Sequence, residues 1–434
     1  MLSRELEKRE AARQPLLLGV SGAGWMGSGF VAAVERMAGM QVAVLADEDV
    51  ALAVAALQAS GVPAEAIVES ETPGAAMDSL LAGRRVVTGS YELAAQVAAL
   101  DVVVDVTPSP AIGAETAAAC IRYGKDVVLV NIEADVTVGR ILKRKAAQAG
   151  VLYTVSSGDE PGCLMELWEY VNTLGYEPIV IGKGKNNPLD TSATPDTVAE
   201  SARRANKDPY QVASYVDGTK TMFEMGCAAN ATGCRPMRRG MVGPEADRGS
   251  VSRTFALQED GGITAFPGVV DFVQGADMSG GVFVTVRVGD ERICADLEYL
   301  KVGRGRYFTF FRPYHLWFLE APISVARACL QRETTLVPLD QPVAEVMTIA
   351  KRALQPGERL DDFGGYTCHG ALERAETARA LHALPMGLAP GATVVRPVPA
   401  GQVVTWDDVR LDESATVVQL RREQDRLWSG KECA

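Results

Sequence analysis

"LLLGVSGAGWMGSGF", residues 16–30, runs an apolar stretch straight into a glycine cluster. Leu16 to Ser21 read as a buried strand, and a helix is expected over 28–37. Between them Gly22-Ala23-Gly24-Trp25-Met26-Gly27 matches the G-x-G-x-x-G pattern. In that pattern the first glycine permits a tight turn, the second lets backbone approach a pyrophosphate, and the third lets helix and strand pack closely. The free N–H groups of the helix N-terminus then favour the phosphates. Glycine-rich turns also produce this pattern by accident, so the flanking sequence has to decide.

Working outward, "MQVAVLADED" (40–49) reads as a second strand ending in Asp47. That is about 20 residues past the glycines, where an acid holds the ribose 2′-hydroxyl of NAD and repels a 2′-phosphate. Glu48 and Asp49 deepen the negative field. An alanine-rich helix (50–60), a strand in "DVVVDVTPSP" (101–110) and a helix (111–123) follow. Then come a strand in "DVVLVNIEAD" (126–135), a helix (136–149) and the strand "VLYTVSS". This alternation is what a doubly wound α/β sheet requires. "RRVVTGSYELAAQV" (84–97) fits a variable crossover and is assigned no function.

The chain has 434 residues, enough for two or three domains, with a net charge of -12. That charge argues against nucleic acid as a partner. No apolar run is long enough to span a bilayer. "MLSRELEKREAARQP" reads as a solvated helix rather than a signal peptide. The eight cysteines, Cys433 included, form no C-x-x-C pair. They read as free thiols of a cytoplasmic protein rather than disulfides, a zinc site or a nucleophile.

Ligands of open α/β sheets sit beyond the carboxyl ends of the strands. There the sequence places Thr107 and Pro108, on the nicotinamide side, then Asn131, Glu133 and Asp135, then Asp159 and Glu160 in "SSGDEPG". Carboxylates gathered there would hold a divalent cation or act as an acid/base pair. They would equally cap helices, the role favoured for Asp135. "VIGKGKNNPLD" (180–190) ends a buried strand in Lys183, Lys185, Asn186 and Asn187. Lysines two apart on extended chain point the same way, making an anion or proton-donor site, unless the segment is a solvated turn. "PMRRGM" (236–241) offers Arg238 and Arg239 beside the small-residue stretch "GCAANATGC" (226–234). "RYFTFFRPYHLW" (306–317) is an aromatic strand ending at Arg312, Tyr314 and His315. These are substrate-wall candidates, since a guanidinium takes phosphate or carboxylate in bidentate fashion. His369 sits among the glycines of "GGYTCHG" (364–370), whereas His382, in an expected helix, reads as structural.

The tail "LPMGLAPGATVVRPVPAGQVVTWDDVRLDE" (384–413) has short β-like runs between Pro/Gly turns, and "PAGQVVTWDDV" resembles the SAF module. GAGWMG, VNIEAD, GDEPG and VIGKGK with this tail resemble the 1-deoxy-D-xylulose 5-phosphate reductoisomerase-like enzymes of isoprenoid biosynthesis, with a homoserine-dehydrogenase-type Rossmann half. The resemblance implies three domains: a Rossmann domain (1–157), a central α+β domain for catalysis and dimerisation (158–375) and an all-β SAF-like module (376–434). It implies NADP, whereas Asp47 favours NAD. It implies rearrangement and reduction of a phosphorylated hydroxy-carbonyl substrate by a homodimer. Lys183 and Lys185, with Arg238 or Arg239, would receive the phosphate or protonate an alkoxide. Glu133, Asp159 or Glu160 would bind Mg or Mn. Two other expectations stand beside it: a homoserine-dehydrogenase-like oxidoreductase without rearrangement, and a cofactor-binding sensor without turnover.

Overall fold

In the computed structural model, which describes residues 1–428, the glycine turn follows the middle strand of a seven-stranded parallel sheet. Its strands are β1 (Leu16–Ser21), β2 (Met40–Ala46), β3 (Ile67–Glu69), β4 (Arg85–Thr88), β5 (Val102–Asp105), β6 (Asp126–Leu129) and β7 (Tyr153–Val155). Their order is β3-β4-β2-β1-β5-β6-β7. The order reverses between β1 and β5, the crevice where such sheets bind ligands. The helices are α1 (Leu2–Ala11), α2 (Trp25–Val34), α3 (Val50–Ala59), α4 (Pro73–Leu81), α5 (Tyr91–Gln96), α6 (Pro110–Arg122) and α7 (Ile132–Ala149). Leu18, Val20, Val42, Leu45, Val102 and Val104 are fully buried, as parallel strands covered on both faces require.

Several boundaries differ from the sequence expectation. Helix α2 begins at Trp25, directly on the glycine turn, rather than at 28. The stretch 84–97 is no featureless crossover but carries β4 and α5. Helix α7 begins at Ile132, capped by the Asn131 side chain on Ala134 N–H. Asp135 therefore lies inside its first turn and accepts from the Tyr153 hydroxyl at 2.8 Å instead of capping. His382 follows a short helix, Ala375–Ala380, at φ 53°, outside any helix.

The glycines divide their work as the pattern implies. Gly22 holds φ +101°, and a Cβ on Gly27 would lie 2.0 Å from the Gly22 carbonyl oxygen. A Cβ on Gly24 would meet nothing within 4 Å. Gly27→Ala is therefore expected to cost about 2 kcal/mol of stability. Gly24→Ala should melt like the parent yet lose at least about tenfold in dinucleotide affinity, because its methyl enters only ligand space. Melting curves and NADH titrations of both variants check this; equal affinity in Gly24→Ala would remove the phosphate from that turn.

The described chain divides into two units. The first comprises 1–162, 316–337 and the C-terminal segment from 415. Within it the helix Thr416–Trp428 lies along α7. Arg421 donates to the Thr137 carbonyl, while Gln424 accepts from Ile141 N–H at 3.1 Å and donates to the same carbonyl at 3.2 Å.

The second unit comprises 163–315 and 338–414. After α8 (Glu160–Thr173) come β8 (Glu177–Gly184), α9 (Pro195–Ala205), α10 (Pro209–Val216) and α11 (Thr219–Thr232). Next are β9 (Val269–Val273), β10 (Val282–Arg287), β11 (Gly303–Arg304) and β12 (Tyr307–Arg312). Its five-stranded sheet has the order β11-β12-β10-β8-β9, mixed in direction. The antiparallel pair β13 (Ala344–Ala350) and β14 (Cys368–Arg374) is bridged to the tail by Ile349 with Val403 and Leu354 with Val398. The tail itself contributes only the two-residue strands β15 (Thr393–Val394) and β16 (Val409–Arg410). The antiparallel region thus starts before residue 376, and residues 416–428 are helical rather than β. The described cysteines are free thiols, and Cys433 lies outside the described residues. Among the described residues no helix is long and apolar enough to cross a membrane.

Candidate active site

The first unit supplies the cradle. Past the end of β2, Asp47 Oδ2 accepts from Ala23 N–H at 2.7 Å and its Oδ1 accepts from Asp49 N–H. The carboxylate is thereby fixed against the glycine turn, where a ribose would lie. Asp49 caps α3 through Ala51 N–H. Trp25 is half-exposed and packs edge-on against Trp317, at 5.2 Å between ring centroids, and against Phe318. Met26 packs on the core beneath.

Thr107 approaches Gly22 from the end of β5. Its N–H and hydroxyl both donate to Asp105 Oδ1, at 3.2 and 2.8 Å. Pro108 beside it is exposed. Asn131 donates to Thr107 Oγ1 and, at 2.8 Å, to the Ser109 carbonyl. With its capping bond on Ala134 N–H, its amide braces this wall. Asp105 is fully buried, its Oδ2 makes no hydrogen bond, and burial pushes its carboxyl up to about 7 against the pull of Thr107 and Asn131, with Glu133 adding repulsion. Sequence reading passed over this residue, although an acid ending the run Val102–Val104 was the signal. Glu133, in the first turn of α7, and Asp159 and Glu160 are buried. Gly158, at φ +97°, leaves no room for a side chain beside the Trp317 carbonyl.

The lysines lie in the second unit. A Cβ on Gly182 would lie 2.2 Å from the Asp271 oxygen, and one on Gly184 would lie 1.8 Å from the Met278 oxygen. The glycines of the motif thus serve close packing around β8. Lys183 and Lys185 are buried, and both turn toward α10 and α11. Lys183 pairs with Glu224 of α11 at 2.5 Å. Lys185 donates to the Tyr215 carbonyl at 2.6 Å. Burial first, then repulsion from Lys183, pushes Lys185 down to about 8, while Glu224 and Asp217 oppose the shift. A lysine near neutrality can release and regain a proton during turnover.

His369 of β14 sits at the same end of α11: its neighbour Gly370 donates to Thr219 Oγ1, and the ring faces Asp217 and Lys351. Burial pushes the imidazole down. Asn186 is exposed at the bend after β8. The arginines are committed locally. Arg238 donates to the Met241 carbonyl at 2.9 Å, and Arg239 pairs with Glu373 at 3.4 Å. Arg312 pairs with Glu166 and lies over the exposed Tyr314 ring. His315 is bonded through Nδ1 to the Gly280 carbonyl. Three charged partners were missed: Glu224, Asp217 and Lys351. Glu224, a lone charge among the apolar residues of "TMFEMGCAANA", could have been found.

Residues 22–155 match the family model described as homoserine dehydrogenase, NAD binding domain, and residues 158–321 match that described as oxidoreductase DRL, catalytic domain. No curated protein matches the chain. Solved structures similar to it include a probable dehydrogenase from Thermotoga maritima, at 14% identity and TM-score 0.41, covering 74% of this chain and 90% of that one. Another is a scyllo-inositol dehydrogenase from Lactobacillus casei solved with NAD(H) and scyllo-inositol, at 12% identity and TM-score 0.41, covering 75% and 92%. The two family matches identify an NAD(P)-dependent oxidoreductase.

Proposed function

We propose that the protein transfers hydride between a nicotinamide dinucleotide and a small anionic hydroxy-carbonyl compound, in the first instance a phosphorylated sugar or polyol. The observation that carries this is the pair of buried lysines at the carboxyl end of β8, one matched by Glu224 and the other, near neutrality, donating to a main-chain oxygen. When bound, the dinucleotide supplies or accepts the hydride. Gly22, Gly24 and the N-terminus of α2 are shaped to take its pyrophosphate, and Asp47 to take its ribose. In the reducing direction Lys185 gives its proton to the carbonyl oxygen as that oxygen gains charge, and regains one from solvent. Lys183 contributes fixed positive charge beside the substrate's anionic group. Asp159 and Glu160 are the carboxylates for a divalent cation, should the reaction include the rearrangement of the reductoisomerase-like enzymes. The tail from residue 376 up to the helix at 416 is read as the SAF-like module.

Loss of NADH absorbance with ketose phosphates, compared with the same ketoses lacking phosphate, tests the reading. Turnover confined to the phosphorylated series supports it, and equal turnover overturns the phosphate assignment. On the cofactor side, NADH should bind about tenfold or more tighter than NADPH, with Asp47→Ala narrowing the gap. Fluorescence titration reads this directly. Tighter NADPH binding would refute the role given to Asp47.

A further inference from the structure

We propose that Lys351 and Asp217, a buried ion pair to which the hydride-transfer reading gives no task, are positioning residues for Lys185: they fix the chain corner that receives its ammonium group. The inference rests on the role given to Lys185 above. The corner is the turn between α10 and α11. It presents the Tyr215 carbonyl, on which Lys185 donates at 2.6 Å, and two residues later Asp217. Lys351, at the end of β13, inserts beneath it with its side chain 3% exposed. Its ammonium meets the Ala193 carbonyl at 2.6 Å, the Gly365 carbonyl at 2.7 Å and Asp217 Oδ2 at 2.8 Å. Two of these contacts are hydrogen bonds to carbonyls, and the third is an ion pair. Asp217 is fully buried, and its other oxygen accepts from Thr219 N–H at 2.8 Å, which fixes the start of α11.

Segments near 193, 217 and 365 therefore converge on one cation, and the last of them is packed tightly: a Cβ on Gly364 would lie 2.1 Å from the Tyr210 oxygen. The carbonyl that Lys185 uses is at the C-terminal end of α10, where unpaired carbonyls favour a cation. The charged groups facing Lys185 are Lys183 from its own strand, Glu224 from α11 and Asp217 from the corner. Lys351 and His369 face Asp217 in turn. Asp217 thus does two things: it holds the acceptor in place and it favours the charged form of Lys185. A brace needed only for folding would do neither.

The test is carbon-13 NMR of full-length protein labelled at lysine Cε, with the Lys185 signal assigned by its loss in Lys185→Arg. In Lys351→Met/Asp217→Asn, which removes both charges together, the Lys185 titration midpoint should fall by roughly 0.5–1 unit. Lys351→Arg keeps the charge but cannot reproduce the two carbonyl bonds and the Asp217 pair from one point. It should shift the midpoint in the same direction by a smaller amount, and it serves if the double variant does not fold. An unchanged midpoint in a folded variant of either kind overturns the proposal and leaves the pair a structural brace. Because the readout needs no substrate, it is independent of turnover. Wild-type NADH consumption by Lys185→Met would instead refute the role of Lys185 itself.

Discussion

Lys183→Met should lower turnover by roughly two to four orders of magnitude while NADH affinity, read by fluorescence, stays within about a factor of two. The single substitution carries a second effect that has to be separated from the first. Lys183 and Glu224 are both buried, with side chains 7% and 4% exposed, so removing the lysine leaves a carboxylate without its counter-charge. Breaking a buried pair in this way costs about 3–5 kcal/mol, whereas replacing both partners by neutral groups is often nearly free. Lys183→Met should therefore melt markedly early, and Lys183→Met/Glu224→Gln should recover most of the melting temperature. Turnover should not recover with it. A double variant that melts and turns over like the parent would make Lys183 a structural strut and remove it from the site.

The second large effect concerns stability rather than rate. Asp105 would ionise near its ordinary 3.8 in the unfolded chain, but in the folded protein only at about 7. Between those values the native state keeps a proton that the unfolded state has lost. Stability therefore falls as pH rises through this window, and the loss is complete above about 7. At about 1.36 kcal/mol per unit the ceiling is roughly 4 kcal/mol. Asp105→Asn retains an acceptor oxygen for the two Thr107 bonds and removes the titration. It should leave stability at pH 4 nearly unchanged and raise it at pH 8 by roughly 2–4 kcal/mol. Denaturant melts at the two pH values check this. Parallel curves for variant and parent would show that Asp105 ionises normally in the folded state. A parent that tolerates such a cost at the cradle wall is behaving as functional sites do.

What could be read before folding was whatever depends on local geometry. Gly22 needs a positive φ, and Gly24 and Gly27 need bare backbone, so these six residues, with the strand–helix alternation around them, placed the cradle. Lys183 and Lys185 were legible because alternation along an extended chain fixes their common side. Strands β3 and β4 were not, since β3 is only partly buried and β4 offers just two adjacent valines, without the apolar runs that mark β5 and β6. The helix at 416–428 was masked by the β-like run before it. Above all, partners distant in sequence stayed hidden. Nothing near Lys183 announces Glu224, 41 residues away, and nothing near Asp217 announces Lys351. For Arg238 and Arg239 the sequence likewise hid their local partners, a neighbouring carbonyl and Glu373.

The placement of Arg421 and Gln424 against the backbone of α7 has a temporal side. The cradle precedes α7 in the chain, yet the helix that covers α7 leaves the ribosome some 280 residues after α7 does, on the numbering of Ala149 and Trp428. Until then α7 lacks its cover, and the nucleotide-binding half waits, incompletely buttressed, while the whole second unit is synthesised. Translation order thus makes a part of the protein that is synthesised before the second unit wait for that unit before it is finished.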